Sequence, residues 1–163
     1  MKYKNFDQYS REYIPLDWMV IKNHPNKSLN GNNYFQISFN RFKEIIIYLE
    51  KYLKNKLNIL EIGTYPGIIP QIFYEYLRNR INYKFYGSGL NFTQEFIKKM
   101  NEYDINLLNC DLDPRISDNK KNISNKINMQ NEKMDFVILT DVIEHFYDPF
   151  YPLTEINRVL KTN

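Results

Sequence analysis

An acidic residue and two glycines with loop spacing stand out first, at residues 61–67. Glu61 lies at the end of an apolar run, and Gly63 and Gly67 bracket a turn before an amphipathic stretch. A strand, a tight loop and a helix in this order direct backbone N–H groups toward an anionic ligand. An acid at the end of a buried strand must also find hydrogen-bond donors. The stretch therefore predicts a nucleotide-type cofactor site, with an ordinary strand-to-helix turn as the alternative.

A second acid, Asp111, follows the apolar segment 105–109. A carboxylate in that place can accept a hydrogen bond from an exocyclic amine such as that of adenine. The alternative is a cap for a turn or a helix. Asp111 and Asp113 also match the loose D-x-D pattern of metal-dependent glycosyltransferases, a tripeptide that is common by chance. One hypothesis for the function is therefore a nucleotide-sugar glycosyltransferase.

Two acids and a histidine follow the apolar segment 136–139, namely Asp141, Glu144 and His145. Such a group can transfer protons near a reacting atom. The alternative is an acidic loop whose histidine caps a helix or packs under it. Cys110 and His145 would suggest a thiol nucleophile, but a lone cysteine at a strand end is usually a buried apolar residue.

Apolar periodicity assigns these residues to alternating strands and helices. The pattern predicts helices over residues 34–54, from 66–70 to about 79, 92–103 and 149–160, and strands over residues 57–62, 83–88, 105–109 and 135–140. Residues 112–133 are predicted to form a polar surface connection. In the last helix, Leu153, Ile156, Val159 and Leu160 are predicted to face inward. The alternation predicts an α/β fold, a parallel sheet with helices on both faces. Ligands bind at the carboxyl ends of such strands, where all the candidate residues fall.

Composition limits the classes of protein that remain. The 163 residues carry a net charge of +3 that is spread along the chain, with no basic block that favours nucleic acid or a membrane surface. The single cysteine excludes an internal disulfide framework and a cysteine-based zinc site. No signal peptide or membrane-spanning run is apparent, which predicts a cytoplasmic protein. Residues 1–33 are predicted to be a covering N-terminal arm, with a substrate lid as the alternative, and residues 34–163 are predicted to form the ligand-binding domain.

In series, these segments resemble class I S-adenosylmethionine-dependent methyltransferases. Residues 59–67 are similar to the first motif of that family, and residues 109–112 to its adenine-contacting segment. The most specific match is residues 136–149, an apolar strand followed by Asp-x-x-Glu-His and Asp-Pro. The resemblance covers residues 57–163 and implies a Rossmann-like fold with S-adenosylmethionine as cofactor. The implied activity is methyl transfer to a small-molecule or glycan-precursor acceptor.

The resemblance also implies a role for each candidate residue. Glu61 would hold the loop or the amino group of the cofactor, and Asp111 would accept a hydrogen bond from the adenine amine. Glu144 and His145 would face the substrate entrance, with His145 as a base or a substrate contact. The other cofactor contacts that it implies are Gly63, Thr64, Tyr65, Gly67, Ser88, Gly89, Asn91, Cys110, Leu112, Thr140 and Asp141.

Three departures from the family pattern shape the expectations. Tyr65 and Pro66 replace the flexible, glycine-rich centre of the first motif, and no acid occurs between residues 85 and 94, where the family binds the ribose hydroxyls. Ser88 or Asn91 would have to substitute for that acid. The chain also stops where the family continues into three more strands, which predicts a sheet truncated after the fourth strand-helix unit. An exposed sheet edge promotes association, so we expect a homo-oligomer, and a non-catalytic binding or assembly module is the alternative to an enzyme.

Overall fold

A computed structural model describes residues 4–16, 31–52, 56–113 and 124–162, with the backbone alone for residues 31–37. The chain forms two compact units. The first comprises Met1–Asn55 and Gln71–Asn82, and the second comprises Lys56–Pro70 and Tyr83–Asn163. Every candidate site residue lies in the second unit.

A four-stranded sheet forms the framework of the second unit. Its strands are β1 (Lys56–Ile62), β2 (Asn82–Gly89), β3 (Ile105–Asn109) and β4 (Phe136–Leu139). Their spatial order is β3-β2-β1-β4, and β1 pairs with β4, and β2 with β3, in parallel. The strand order reverses between β1 and β4, and ligands bind beside such a switch point in open α/β sheets. The predicted parallel sheet is confirmed, and each strand lies within two residues of its predicted bounds.

The four predicted helices occur in the predicted order, the first of them over residues 31–50 rather than 34–54, and a further helix within the N-terminal arm precedes them. They are α1 (Phe6–Glu12), α2 (Gly31–Glu50), α3 (Ile68–Ile72), α4 (Gln94–Glu102) and α5 (Phe150–Val159). The helix predicted from residues 66–70 to about 79 begins as α3 and continues as a π-helix, Phe73–Leu77. Apolar spacing does not distinguish these two helix types over five residues. Thr93 caps the N-terminus of α4, where its hydroxyl accepts a hydrogen bond from the Phe96 N–H at 3.2 Å.

The first unit buries aromatic residues of the N-terminal segment. The Phe6 ring stacks on Phe39 at 5.3 Å between centroids. The fully buried Tyr9 donates its hydroxyl hydrogen to Glu75 Oε2 at 3.1 Å. Part of the N-terminal arm is therefore a helix within the packed structure of this unit, while residues 17–30 lie outside the described residues.

The core of the second unit includes residues that the sequence analysis assigned to the surface. Leu112 and Ile127 are buried, so the prediction that residues 112–133 form a polar surface connection is wrong at these positions. Residues 114–123 lie outside the described residues. Leu153, predicted to face inward, is 40% exposed, and Glu155 is buried instead. The core side chains are Leu60, Ile62, Cys110, Leu112, Ile127, Met134, Ile156 and Val159.

Arg158 explains why a carboxylate occupies an inward position on α5. Its guanidinium donates to both carboxylate oxygens of Glu155, at 3.0 and 2.7 Å. The same group donates to the carbonyls of Ile127 and Met129 and to Asn131 Oδ1, at 2.8–2.9 Å. All five N–H donors of the guanidinium are engaged. Arg158 therefore fixes the backbone of residues 127–131 to α5.

We expect Arg158→Ala to lower the free energy of unfolding by about 3 kcal/mol, since it strands a buried carboxylate and two carbonyls. Urea denaturation measures this loss. Lys99→Ala is the matched control, because Lys99 and Glu102 form an ion pair of the same i,i+3 spacing on an exposed surface. Equal effects of the two substitutions would show that the hydrogen bonds of Arg158 contribute nothing beyond a surface ion pair.

The outer edge of β4 is partly paired by the chain itself. Leu160 forms an isolated parallel bridge with Met134, just before β4, and the Lys161 N–H donates to the Met134 carbonyl at 2.9 Å. The return of the chain after α5 thus covers the start of this edge. Association through the remainder of the edge stays a prediction. In the part of the chain that the structure describes, no helix is long and apolar enough to cross a membrane.

Candidate active site

Backbone contacts join the carboxyl ends of the first three strands. The N–H groups of Gly63 and Thr64 both donate to the carbonyl of Ser88 at 2.9 Å, and the Cys110 N–H donates to the carbonyl of Gly89 at 3.2 Å. The loop after β4 also reaches this edge, because a Cβ built on Gly63 would lie only 2.5 Å from Val142 Cγ2. The structure therefore brings the four strand ends together, as the sequence analysis expected.

Glu61 is buried at the end of β1 and is bound to the loop that follows. The Thr64 hydroxyl donates to Glu61 Oε2 at 2.5 Å. Burial raises the pKa of Glu61 to about 8, and the hydrogen bond from Thr64 only partly opposes that effect. Glu61 thus holds the loop through Thr64, which is one of the two roles that the sequence analysis considered. Burial favours the protonated form of its carboxyl group by raising the pKa.

The loop from Gly63 to Gly67 needs glycine at both ends. Gly63 and Gly67 have φ angles of +76° and +98°, which L side chains rarely adopt. Tyr65 lies between them, before a cis Tyr65–Pro66 bond, and is 51% exposed with its ring 5.4 Å from that of Phe96. The loop thus keeps Tyr65 at the surface. The backbone of Gly63 is exposed, whereas Gly67 is buried.

The segment after β2 offers few polar groups. The Ser88 side chain is buried and hydrogen-bonded to the Cys110 thiol, whereas Asn91 is exposed at a positive φ of 52°. Gly89 is half-buried between them. Of the two side chains considered as replacements for the ribose-binding acid, only Asn91 is accessible.

Asp111 has one hydrogen-bonded carboxylate oxygen and one that has no partner in the part of the chain that the structure describes. The side chain is only 5% exposed, and Oδ1 accepts a hydrogen bond from the Asp113 N–H at 3.0 Å. Oδ2 is buried without a hydrogen-bond partner among the described residues. An unpaired buried carboxylate oxygen is costly, so this atom is suited to accept a hydrogen bond from a ligand.

The residues that flank Asp111 are part of the core. Leu112 is buried in the cluster of the second unit, and burial raises the pKa of the Cys110 thiol to about 11. A thiolate is the nucleophilic form of cysteine. This raised pKa argues against Cys110 as a nucleophile, the role to which the sequence analysis gave little weight.

The loop after β4 places its polar groups in solvent. Glu144 and His145 are exposed in a 3₁₀ turn, Ile143–His145, and the His145 N–H donates to the Val142 carbonyl at 3.0 Å. Thr140 is half-buried, and Asp141 is exposed with a φ of 52°. This loop borders the site rather than lining a closed cavity.

Three site contacts were not anticipated from the sequence. A Cβ on Gly87 would lie 2.7 Å from Thr64 Oγ1, so the absence of a side chain there makes room for the Thr64–Glu61 contact. Val142 packs against Gly63, and Asp113 Oδ2 accepts a hydrogen bond from the Tyr147 N–H at 3.4 Å. The Gly87-Ser88-Gly89 tripeptide was the available signal for the first of these contacts.

The comparison with protein families identifies the family of this chain. A methyltransferase-domain family model matches residues 34–163, well over half of the chain. The chain belongs to this family, that of the class I S-adenosylmethionine-dependent methyltransferases. S-adenosylmethionine is the cofactor that this membership indicates. A comparison with curated proteins gives no match.

Solved structures with the same fold include a SAM-dependent methyltransferase from Aquifex aeolicus. It is 19% identical, with a TM-score of 0.51, and the match covers 72% of this chain and 57% of the Aquifex chain. A protein from Methanococcus maripaludis, proposed to be an S-adenosyl-L-methionine-dependent methyltransferase, is 17% identical with a TM-score of 0.48. That match covers 81% of this chain and 58% of the other. The match to the Aquifex structure confirms the Rossmann-like fold prediction. The chain spans little more than half the length of these two proteins.

Family membership also bears on the hypothesis of a nucleotide-sugar glycosyltransferase. Asp111 and Asp113 lie close together, but within the described ranges no group of three or more His, Cys, Asp or Glu side chains could hold a metal ion. Each of these two aspartates instead accepts a hydrogen bond from a backbone N–H. The methyltransferase family therefore replaces the glycosyltransferase interpretation of the D-x-D tripeptide.

Proposed function

We propose that this chain binds S-adenosylmethionine at the carboxyl ends of β1, β2 and β3 and transfers its methyl group to an acceptor. One observation carries the proposal: Asp111 Oδ2 is buried without a partner among the described residues. Membership in the family implies an adenine amine at this strand end, and such an amine would supply the missing donor. The residues present therefore fit the cofactor.

The other strand ends would hold the rest of the cofactor. The backbone of Gly63 is accessible to the methionine part, and the Glu61–Thr64 hydrogen bond keeps that loop in place. The exposed Asn91 would contact the ribose with an amide in place of the usual carboxylate. Thr140 and Asp141 would lie near the methionyl end. In this assignment residues 34–163 form the cofactor-binding domain.

The chain's own contribution to the reaction is positional. S-adenosylmethionine supplies a methyl group on a positively charged sulfur, ready for attack by a nucleophile. Holding the acceptor in line with that group is the main source of rate enhancement. His145 and Glu144 are exposed beside the site and would accept a proton from the acceptor or bind it. The acceptor in this proposal is a small molecule or a glycan precursor.

Titration calorimetry with S-adenosylmethionine and with its demethylated product, S-adenosylhomocysteine, tests the proposal. We expect both to bind with dissociation constants of about 100 µM or lower, which corresponds to roughly 5.5 kcal/mol. Circular dichroism on the same sample must show folded protein. An absence of binding at millimolar ligand by the folded chain would exclude the proposed site.

A non-catalytic binding module is the second candidate. It is favoured by the segment Gly89–Asn91, which offers no carboxylate to the ribose. The two candidates differ in turnover rather than in affinity. Binding of the cofactor by a protein that transfers no methyl group to any acceptor in a broad panel would favour the module.

A further inference from the structure

Exposed apolar side chains gather in the segment after β4. Phe150 and Tyr147 are 77% and 73% exposed, although both are large aromatic residues. Ile143 and Leu153 are also exposed, and Phe150 and Leu153 lie three residues apart on α5, so they share one face of the helix. We name Ile143, Tyr147, Phe150 and Leu153 the entrance patch. Scattered apolar residues are normal on surfaces, but four large exposed ones within residues 143–153 indicate a binding surface.

The entrance patch borders the proposed cofactor site on two sides. Val142, next to Ile143, packs against Gly63 of the loop after β1. The Tyr147 N–H donates to Asp113 Oδ2, two residues beyond the carboxylate assigned to adenine. These two contacts fix the segment that carries the patch beside both ends of the proposed cofactor. A molecule bound on the patch would therefore lie at the opening of the site.

The segment that carries the entrance patch is acidic, whereas the chain as a whole is basic. Residues 139–154 contain Asp141, Glu144 and Asp148 and no lysine or arginine, whereas the whole chain has a net charge of +3. All three acids are exposed. An acidic surface repels carboxylates, phosphates and anionic lipid, and it attracts cations. Apolar side chains among acids thus suit a ligand with an apolar body and a positively charged group.

We propose that the entrance patch binds the acceptor and that the acceptor is a cationic amphiphile, an apolar chain or ring that carries a protonated amine. This inference rests on the proposed function, because the patch is an acceptor site only if the cofactor binds beside it. The apolar body lies on Phe150, Tyr147 and Leu153, and the cation faces Asp148 and Glu144. The acceptor is then distinct from sugar phosphates and other anionic molecules.

Binding of n-octylamine, with octanoate of the same chain length as its anionic counterpart, tests the inference by ligand-observed NMR or calorimetry. We expect octylamine to bind at least about tenfold more tightly than octanoate. The acidic side chains attract the ammonium group of octylamine and repel the carboxylate of octanoate. Phe150→Ser should weaken octylamine binding about tenfold, because burial of one large apolar side chain accounts for that much affinity. Asp148→Asn, which keeps the oxygen that accepts from the Phe150 N–H, should weaken it about twofold to fivefold.

Ile14→Ser is the matched control, since Ile14 is also 77% exposed but lies in the first unit. It should leave octylamine binding unchanged. Equal affinities for octylamine and octanoate, or equal effects of the Phe150 and Ile14 substitutions, would overturn the inference. A dimer that Phe150→Ser dissociates in sedimentation velocity, or capture of the protein by phosphatidylcholine vesicles, would also overturn it, because the patch would then serve another occupant.

Calorimetry with S-adenosylmethionine on the same samples separates the two proposals. Cofactor binding without selective octylamine binding would reject the acceptor class and leave the proposed function intact. Selective octylamine binding without cofactor binding would reject the proposed function, and with it the role of the entrance patch as an acceptor site.

Discussion

Asp111→Asn should weaken the binding of S-adenosylmethionine by about tenfold to a hundredfold. The substitution keeps the volume of the side chain but replaces one of its two acceptor oxygens with an NH₂ donor. If the amide oxygen stays on the Asp113 N–H, the amide NH₂ faces the adenine amine, and donor meets donor. If the amide turns, the Asp113 N–H loses its acceptor. A lost hydrogen bond to a charged group costs about 1.5–3 kcal/mol, and each 1.4 kcal/mol is tenfold in affinity.

The matched control is Asp113→Asn. Asp113 is an equally buried aspartate two residues away, and its Oδ2 accepts from the Tyr147 N–H at 3.4 Å. Cofactor affinity should change less than about threefold in this variant, an effect smaller than 1 kcal/mol. The free Asp111→Asn protein should also be no less stable than the wild type, because Oδ2 of the buried carboxylate has no hydrogen-bond partner among the described residues. Wild-type affinity in Asp111→Asn would remove the adenine assignment.

Glu61 should make the folded protein progressively less stable from about pH 5 to pH 9. Burial raises the folded-state pKa to about 8 from an ordinary value of 4.5, so the fold binds this proton more tightly than the unfolded chain does. The resulting stability is fully present below pH 4.5, and it is lost as the pH rises to 8 and beyond. At about 1.4 kcal/mol per pKa unit, the change amounts to at most about 5 kcal/mol.

Urea denaturation of the wild type and of Glu61→Gln, at intervals between pH 5 and pH 9, isolates this contribution. Glutamine keeps an oxygen that can accept from the Thr64 hydroxyl and does not titrate. Other groups titrate in both proteins, so their contributions cancel in the difference. The wild type should lose stability relative to Glu61→Gln as the pH rises, and a difference that stays constant would show that Glu61 does not carry a raised pKa.

The sheet was predictable because its strands are short apolar runs separated by amphipathic helices. Their parallel arrangement requires the strand ends to meet, so Glu61 and Asp111 could be placed at one edge before any contact was known. The turn after β1 was predictable from its two glycines, since Gly63 and Gly67 both have the positive φ angles that glycine readily adopts. The burial of Asp111 Oδ2 without a described partner was not predictable, because it depends on the packing around the carboxylate.

The burial of side chains on α5 and in the segment before β4 was not predicted, because it depends on contacts between distant segments. Leu153 was assigned to the core by its spacing, but Arg158 pairs with Glu155 and allows that carboxylate to take the inward position. Ile127 was assigned to the surface because its neighbours are polar, although the same arginine binds its carbonyl. The spacing of apolar residues describes one helix at a time. It therefore predicts the wrong buried face where contacts with another segment decide which side chains are buried.

The hydrogen bond between Tyr9 and Glu75 has a consequence for synthesis of the protein. The two residues are 66 positions apart in the sequence, so the partner of the N-terminal helix is made long after the helix itself. At roughly 5–20 residues per second, the ribosome needs about 3–13 s to add those residues. During that interval the side chains of Phe6 and Tyr9, both buried in the finished fold, lack their partners Glu75 and Tyr76. The N-terminal helix therefore exposes apolar surface during synthesis, a state in which protection by a chaperone would prevent aggregation.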